Sequence, residues 1–159
     1  MFDPRRFLAS LGAREPRNAF ERGVAALDAG RLEEALAALA LAEAEAESGE
    51  ALASARNKRG VALVGLGRRA EALEAFCAAL EACERWAPAL VNVGNLLLEE
   101  GHVGDAIDYY EAAIRADDGY AVAYRNLGVA CKRAGRQADA VRYLRLADRL
   151  EARRPLGRA

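Results

Sequence analysis

The sequence predicts an all-α protein in which helix hairpins repeat along the chain. Alanine, the strongest helix former, accounts for 38 of the 159 residues, and threonine is absent. Two rows of glycines recur with a period of 34 residues. The rows are Gly60, Gly94 and Gly128, and seven residues further on Gly67, Gly101 and Gly135. A period of this length is typical of solenoids, in which each unit stacks on its neighbours.

The residue pattern divides each unit into two helices. Apolar residues recur at intervals of three and four, which indicates amphipathic helices. Gly23 and Gly30 form the same pair upstream of the two rows. The second glycine of each pair suits the left-handed residue that closes a first helix. The second helix carries a face of alanine, a large residue and alanine. Its members are Ala35, Leu39 and Ala42; Ala72, Phe76 and Ala79; Ala106, Tyr110 and Ala113; and Ala140, Leu144 and Ala147.

The last unit shows the pattern most fully. Its matching residues are Tyr124, Leu127, Gly128 and Cys131, followed by Ala140 and Leu144. This spacing resembles the tetratricopeptide repeat (TPR), whose signature is W-x2-L-G-x2-Y, then A-x3-F, then P. The first two units depart from it at the two early positions, where the signature has large apolar residues. Ala19 and Arg22 stand there in the first unit and Arg56 and Arg59 in the second, so the first helices of both units are expected to pack differently. The resemblance implies a right-handed superhelical solenoid of four helix-turn-helix hairpins.

The period divides the chain into a central repeat domain and two short ends. The repeats are predicted at 16–52, 53–86, 87–120 and 121–154, within a domain of 16–154. The first is three residues longer, and the extra residues are expected to lengthen its second helix or the following turn. Residues 1–15, with an apolar stripe of Phe7, Leu8 and Leu11, are predicted to form a short capping helix. Residues 155–159 are expected to be a frayed tail.

The composition argues against several functional classes. A net charge of −1 gives no reason to expect nucleic acid or an anionic membrane as a partner. The longest uncharged run, residues 86–98, is too short to span a membrane. One histidine, His102, and three scattered cysteines provide no metal-ligand set and no catalytic pair. We therefore expect a cytoplasmic protein that is not an enzyme and binds no metal or cofactor.

In this family the first helices of successive repeats line a concave groove, so the resemblance implies where a ligand would bind. The candidate residues for a peptide or partner protein are Asn57, Lys58, Val61, Val91, Asn92, Asn95, Leu98, Arg125, Asn126 and Val129. Phe20, Val24, Leu27, Val64 and Lys132 are expected beside them. A carboxylate clamp known in the family would use Asn95 and Asn126, but Val91 stands where that clamp needs a lysine.

The asparagines are unusual, because asparagine is a poor residue inside a helix. Asn92 and Asn126 lie one repeat apart and could pair with the backbone of an extended peptide. Alternatively, they could simply help neighbouring repeats to pack. Both interpretations are open from the sequence.

The C-terminal end is a second candidate interface. No further repeat follows to cover Tyr143, Leu146 and Leu150, which are expected to be exposed. Arg142, Arg145 and Arg149 lie along the same last helix. This end could associate with a second copy or dock an acidic partner. The sequence thus favours a non-catalytic adaptor, with a dedicated chaperone for one client and a self-assembling structural module as alternatives.

Overall fold

The computed structural model describes residues 16 and 18–153, and within them it contains eight α-helices and no strand. The helices are α1 (Ala19–Asp28), α2 (Leu32–Ala44), α3 (Gly49–Gly65), α4 (Arg69–Ala82), α5 (Ala87–Glu99), α6 (Val103–Ala116), α7 (Ala121–Arg133) and α8 (Gln137–Arg153). They pack in sequential pairs, and each pair stacks on the next. The predicted all-α solenoid of four hairpins is therefore confirmed. The predicted capping helix 1–15 and the tail 155–159 lie outside the described residues.

The glycine predicted to close each first helix adopts the left-handed conformation in all four repeats. The φ angles are 71° at Gly30, 75° at Gly67, 89° at Gly101 and 77° at Gly135. In the first repeat, the Gly30 N–H donates to the carbonyl of Leu27 at 3.0 Å, and the Arg31 N–H donates to that of Ala26 at 2.9 Å. This pair of bonds is the Schellman motif, which satisfies carbonyls at the end of a helix.

The other glycine of each pair allows the two helices of a hairpin to approach closely. A Cβ atom on Gly94 of α5 would lie 2.7 Å from Cε1 of the Tyr110 ring on α6. Tyr110 is fully buried and belongs to the largest apolar cluster, which joins the third and fourth repeats. The large residue of the second helix thus fills the space that the absent side chain of the glycine leaves.

The contact between the first two repeats contains a cluster of charged side chains. Arg56 and Arg59 on α3 both reach Glu43 on α2, with N–O distances of 3.5 and 2.8 Å. Arg56 also donates to the carbonyl of Ala78 on α4 at 2.8 Å. Elsewhere this contact consists mainly of alanines. For the second of the two repeats, the expectation of different packing is confirmed, because the shared Glu43 carboxylate compensates its two arginines.

The extra residues of the first unit lie in α3, which corrects the expectation from the sequence. The turn of residues 45–48 has the same length as the turns of residues 83–86 and 117–120. By contrast, α3 has 17 residues, whereas α5 and α7 have 13 each. It begins at Gly49, capped by the Ser48 hydroxyl, which accepts a bond from the Ala51 N–H at 3.1 Å. Ser48 is a good N-cap and lies one turn before the start that the repeat period predicts, so α3 is extended at its N-terminus. The predicted boundary between residues 52 and 53 therefore lies inside this helix.

Candidate functional site

The first helices form the inner side of the solenoid. Within the described residues, α1, α3, α5 and α7 contact one another in sequence, whereas the second helices of neighbouring repeats make no such contacts. Stacked hairpins that approach closely on one side and separate on the other must curve toward the close side. The surface of the first helices, called the inner surface below, is therefore concave, and this is the side on which the resemblance placed a ligand.

One asparagine pair connects α3 and α5 on this surface. The Asn92 Nδ2 group donates to Asn57 Oδ1 at 2.8 Å. Asn57 is only 6% exposed and is the only buried polar residue in the described part of the chain. A buried amide costs free energy unless it is hydrogen-bonded, so this bond allows it to lie between two helices.

A second pair connects α5 and α7, and a tyrosine supports it from the core. Asn126 donates through Nδ2 to Asn95 Oδ1 at 2.7 Å, and the Tyr110 hydroxyl donates to the same oxygen at 2.9 Å. Burial raises the pKa of Tyr110 to about 12, with a smaller raising effect from the Glu99 carboxylate and an opposing one from Arg133. The hydroxyl is therefore a stable donor at neutral pH. The asparagines do help the repeats to pack, as one of the two interpretations predicted.

Each pair leaves half of its hydrogen-bonding groups free. The Nδ2 groups of Asn57 and Asn95 and the Oδ1 atoms of Asn92 and Asn126 bond to no described residue. None of the four is a buried unsatisfied atom, and Asn92, Asn95 and Asn126 are half-buried, whereas Asn57 is only 6% exposed. An amide carries one donor group and one acceptor, so either orientation of the amides leaves one of each per pair.

The other candidate residues differ in how accessible they are. Val91 and Leu98 are 2% and 8% exposed and pack in the core with α6 and α7, so they are not available to a ligand. Val129 is 40% exposed, and Arg125 is exposed but bonded to Glu151 at 2.7 Å. Lys58 and Val61 are half-buried.

The sequence analysis missed one residue of this surface and the role of one core residue that supports it. Val122 is 39% exposed and lies seven residues, or two helical turns, before Val129 on the same face of α7. That spacing could have identified it. Tyr110 was assigned to packing alone, yet it holds Asn95. The signal was its hydroxyl, which the corresponding Leu39, Phe76 and Leu144 lack.

The predicted end interface differs from expectation. Tyr143, Leu146 and Leu150 are half-buried rather than exposed, and Tyr143 packs against the apolar cluster of the last two repeats. Arg142, Arg145 and Arg149 are exposed. The most exposed apolar residue of α8 is Val141, at 48%.

The described residues hold no group of three or more histidine, cysteine or acidic side chains that could bind a metal ion. His102 is exposed and lies 3.9 Å from Asp105. Among the described helices, none has the length and apolar character needed to cross a bilayer.

Family models for the tetratricopeptide repeat match residues 53–85 and 92–155, which together make up more than half of the chain. With the four hairpins, these matches show that the chain belongs to the tetratricopeptide repeat family. Proteins of this family generally act as protein–protein interaction modules. No curated protein sequence matches the chain significantly.

Several solved structures share the fold. MamA superimposes with a TM-score of 0.67 at 24% identity, covering 93% of this chain and 84% of MamA. PilF of Pseudomonas aeruginosa gives 0.74 at 25% identity, over 86% of this chain and 61% of PilF. YrrB, described as a TPR protein with an unusual peptide-binding site, gives 0.62 at 25% identity, over 85% of this chain and 68% of YrrB.

Proposed function

We propose that the chain is a non-catalytic scaffold that binds an extended segment of a partner protein on its inner surface. The observation that carries this proposal is the pair of asparagine bridges, Asn57–Asn92 and Asn95–Asn126. Each bridge fixes two amides in place and leaves one donor and one acceptor that bond to no described residue. An extended peptide carries N–H and C=O groups that such amides can bind.

Fixed amides favour binding for an energetic reason. A side chain that is already ordered loses little conformational entropy when a ligand binds. Asn95 is held from both sides, by Asn126 and by the buried Tyr110 hydroxyl. The exposed Val122 and Val129 on α7 offer apolar contacts for side chains of the bound segment. The peptide-binding site of YrrB, on the same fold, supports this use of the scaffold.

A display library of random peptides about twelve residues long tests the proposal, because the natural partner is not needed. At ~3.3 Å per residue, such a peptide extends far enough to cover several first helices. Peptides selected on the wild-type chain would be labelled and titrated by fluorescence polarisation against an Asn92→Ala/Asn126→Ala variant and against Val129→Asp. We expect each variant to bind about tenfold more weakly or worse, because bonds to the peptide backbone or an apolar contact are lost.

Val141→Asp is the matched control, since Val141 is about as exposed as Val129 but lies on the outer side of α8. Circular dichroism would verify that every variant is folded. The proposal is contradicted if selection yields no binding peptide, or if the asparagine variant and Val129→Asp bind as tightly as the control.

The first alternative, a dedicated chaperone for one client, would use the same inner surface. It predicts that the chain keeps one aggregation-prone protein soluble, which light scattering of that client would report.

A reducing, cytoplasmic setting is part of our proposal, and it is supported by Cys77, Cys83 and Cys131 all being free.

A further inference from the structure

An apolar cavity opens on the outer side of the solenoid, between α4 and α6. It has a volume of about 350 Å³. Val93 and Leu97 of α5 line it, together with Leu73 of α4 and Tyr109 of α6. Leu73 is 41% exposed. We call this feature the outer cavity. It faces away from the inner surface, so the asparagine pairs play no part in it.

Unpaired carboxylates border the outer cavity. Asp105 and Asp108 line it and are both exposed. Among the described residues, Asp108 has no cation within ion-pair distance, and Asp105 has only His102 at 3.9 Å. The surrounding repeat, residues 87–120, holds seven acidic residues and one basic residue. A ligand of this cavity should therefore combine an apolar side chain with neighbouring positive charges.

The outer face of α8 has the complementary character. Val141, 48% exposed, lies one turn before Arg145 and two turns before Arg149 on one side of the helix. Both arginines are exposed, and neither forms an ion pair with a described residue. The last repeat, residues 121–154, holds nine basic and three acidic residues. An exposed apolar residue flanked by free cations thus lies on the same chain as an apolar cavity flanked by free carboxylates.

We propose that α8 of one copy docks in the outer cavity of a second copy. Val141 would enter the apolar part of the cavity, and Arg145 and Arg149 would lie against Asp105 and Asp108. The net charge of −1 adds no general repulsion between copies. Because the two surfaces are different, the contact is heterologous. A pair of copies therefore keeps one free α8, on one copy, and one free outer cavity, on the other, so the assembly can grow head to tail. This proposal goes beyond the proposed function and does not depend on it.

Sedimentation velocity of the full chain provides the test. At low salt, about 20 mM, we expect the average mass to rise with protein concentration above the 17.1 kDa of the monomer. At about 500 mM salt it should return toward the monomer, because the ionic contacts are screened. Arg145→Glu/Arg149→Glu and Asp105→Lys/Asp108→Lys should each weaken association by about tenfold or more, since both place like charges opposite each other.

Charge exchange makes the test specific. An equal mixture of the two variants should associate again, because each α8 then meets a cavity of opposite charge. The variant with all four substitutions should associate by itself for the same reason. Leu73→Asn, which introduces no charge, should weaken association by removing an apolar contact in the cavity. Glu47→Lys/Glu50→Lys, which raises the net charge by the same amount as Asp105→Lys/Asp108→Lys but at exposed sites outside the cavity, should associate as the wild type does.

Three results would overturn the proposal. They are a wild-type chain that stays monomeric at low salt, an arginine variant that associates normally, and a mixture that fails to regain association. Binding of a basic peptide by the cavity of a strictly monomeric chain would likewise reject a second copy as its occupant. None of these outcomes bears on peptide binding at the inner surface, so the two proposals can fail separately.

Discussion

The substitution Tyr110→Phe should change the stability of the protein in opposite directions at neutral and at alkaline pH. At neutral pH it removes the bond from the Tyr110 hydroxyl to Asn95 Oδ1 and leaves the buried ring in place. One hydrogen bond of this kind contributes about 1 kcal/mol. We therefore expect the free energy of unfolding to fall by about 1 kcal/mol, equivalent to about 3 °C in Tm for a chain of this length.

At alkaline pH the sign reverses. The folded state keeps the Tyr110 proton up to a pKa of about 12, whereas in the unfolded chain the hydroxyl ionises near its ordinary value of 10.0. Stability that is fully present below pH 10 is therefore lost as the pH rises from 10 toward 12. A difference of two pKa units corresponds to a loss of at most ~2.7 kcal/mol in the free energy of unfolding. We expect a loss of about 2 kcal/mol, because the hydroxyl adjoins the solvent-accessible Asn95. The phenylalanine variant cannot lose this contribution, so the two stability curves should cross near pH 11.

Urea unfolding followed by circular dichroism, at several pH values from 8 to 11.5 with a reductant present, would measure this. Ile107→Val on the same helix is the control, since it removes one buried methyl group at a cost of about 1 kcal/mol and has no titrating group. Its curve should run parallel to that of the wild type. A constant difference between Tyr110→Phe and wild type over the whole pH range would refute the reasoning.

Three further predictions concern the repeats themselves. Gly67→Ala should destabilise the chain by about 1–2 kcal/mol in urea unfolding, because φ is 75° there, whereas Gly104→Ala, inside α6 with open space around it, should be neutral or stabilising. Glu43→Ala should lower the free energy of unfolding by about 1–3 kcal/mol, because it leaves two partly buried arginines without their carboxylate. In the same assay, Glu43→Gln should recover part of that loss. Equal stability of the wild type and Glu43→Ala would contradict the description of a shared carboxylate. Iodoacetamide should label the exposed Cys77 well before Cys131, which is buried and whose thiol pKa burial raises, and peptide mass spectrometry would show the order.

The sequence was sufficient for the hairpins because each one depends on local rules. A glycine at a fixed distance closes each first helix, and a second glycine faces a large residue of the partner helix. Both effects act within one period of 34 residues, so the pattern alone locates them. The additional turn of α3 was misplaced because helix starts depend on the N-cap, and Ser48 caps one turn earlier than the period suggests.

The candidate site was less predictable, because exposure depends on how neighbouring repeats tilt. Val91 and Leu98 were expected to face a ligand, but both pack in the core with residues of α6 and α7, which cover them. The asparagine bridges join residues 31 and 35 positions apart, and no local rule distinguishes a free amide from a paired one. Tyr143 was expected to be exposed for want of a following repeat, yet α7 of its own hairpin covers much of it.

The carboxylate shared between the first two repeats has a consequence for the order of the hairpins, because the residues at their contacts determine which hairpins can be neighbours. The residues of α4 and α6 that correspond to Glu43 are Leu80 and Ile114, and both pack against apolar clusters. If the second hairpin followed either of those helices, its two arginines would meet a hydrocarbon side chain instead of a carboxylate. The repeats are similar enough to stack, but they are not interchangeable. A recombination that shuffled or duplicated them would therefore lower the stability of the protein first at the junction between the first two repeats.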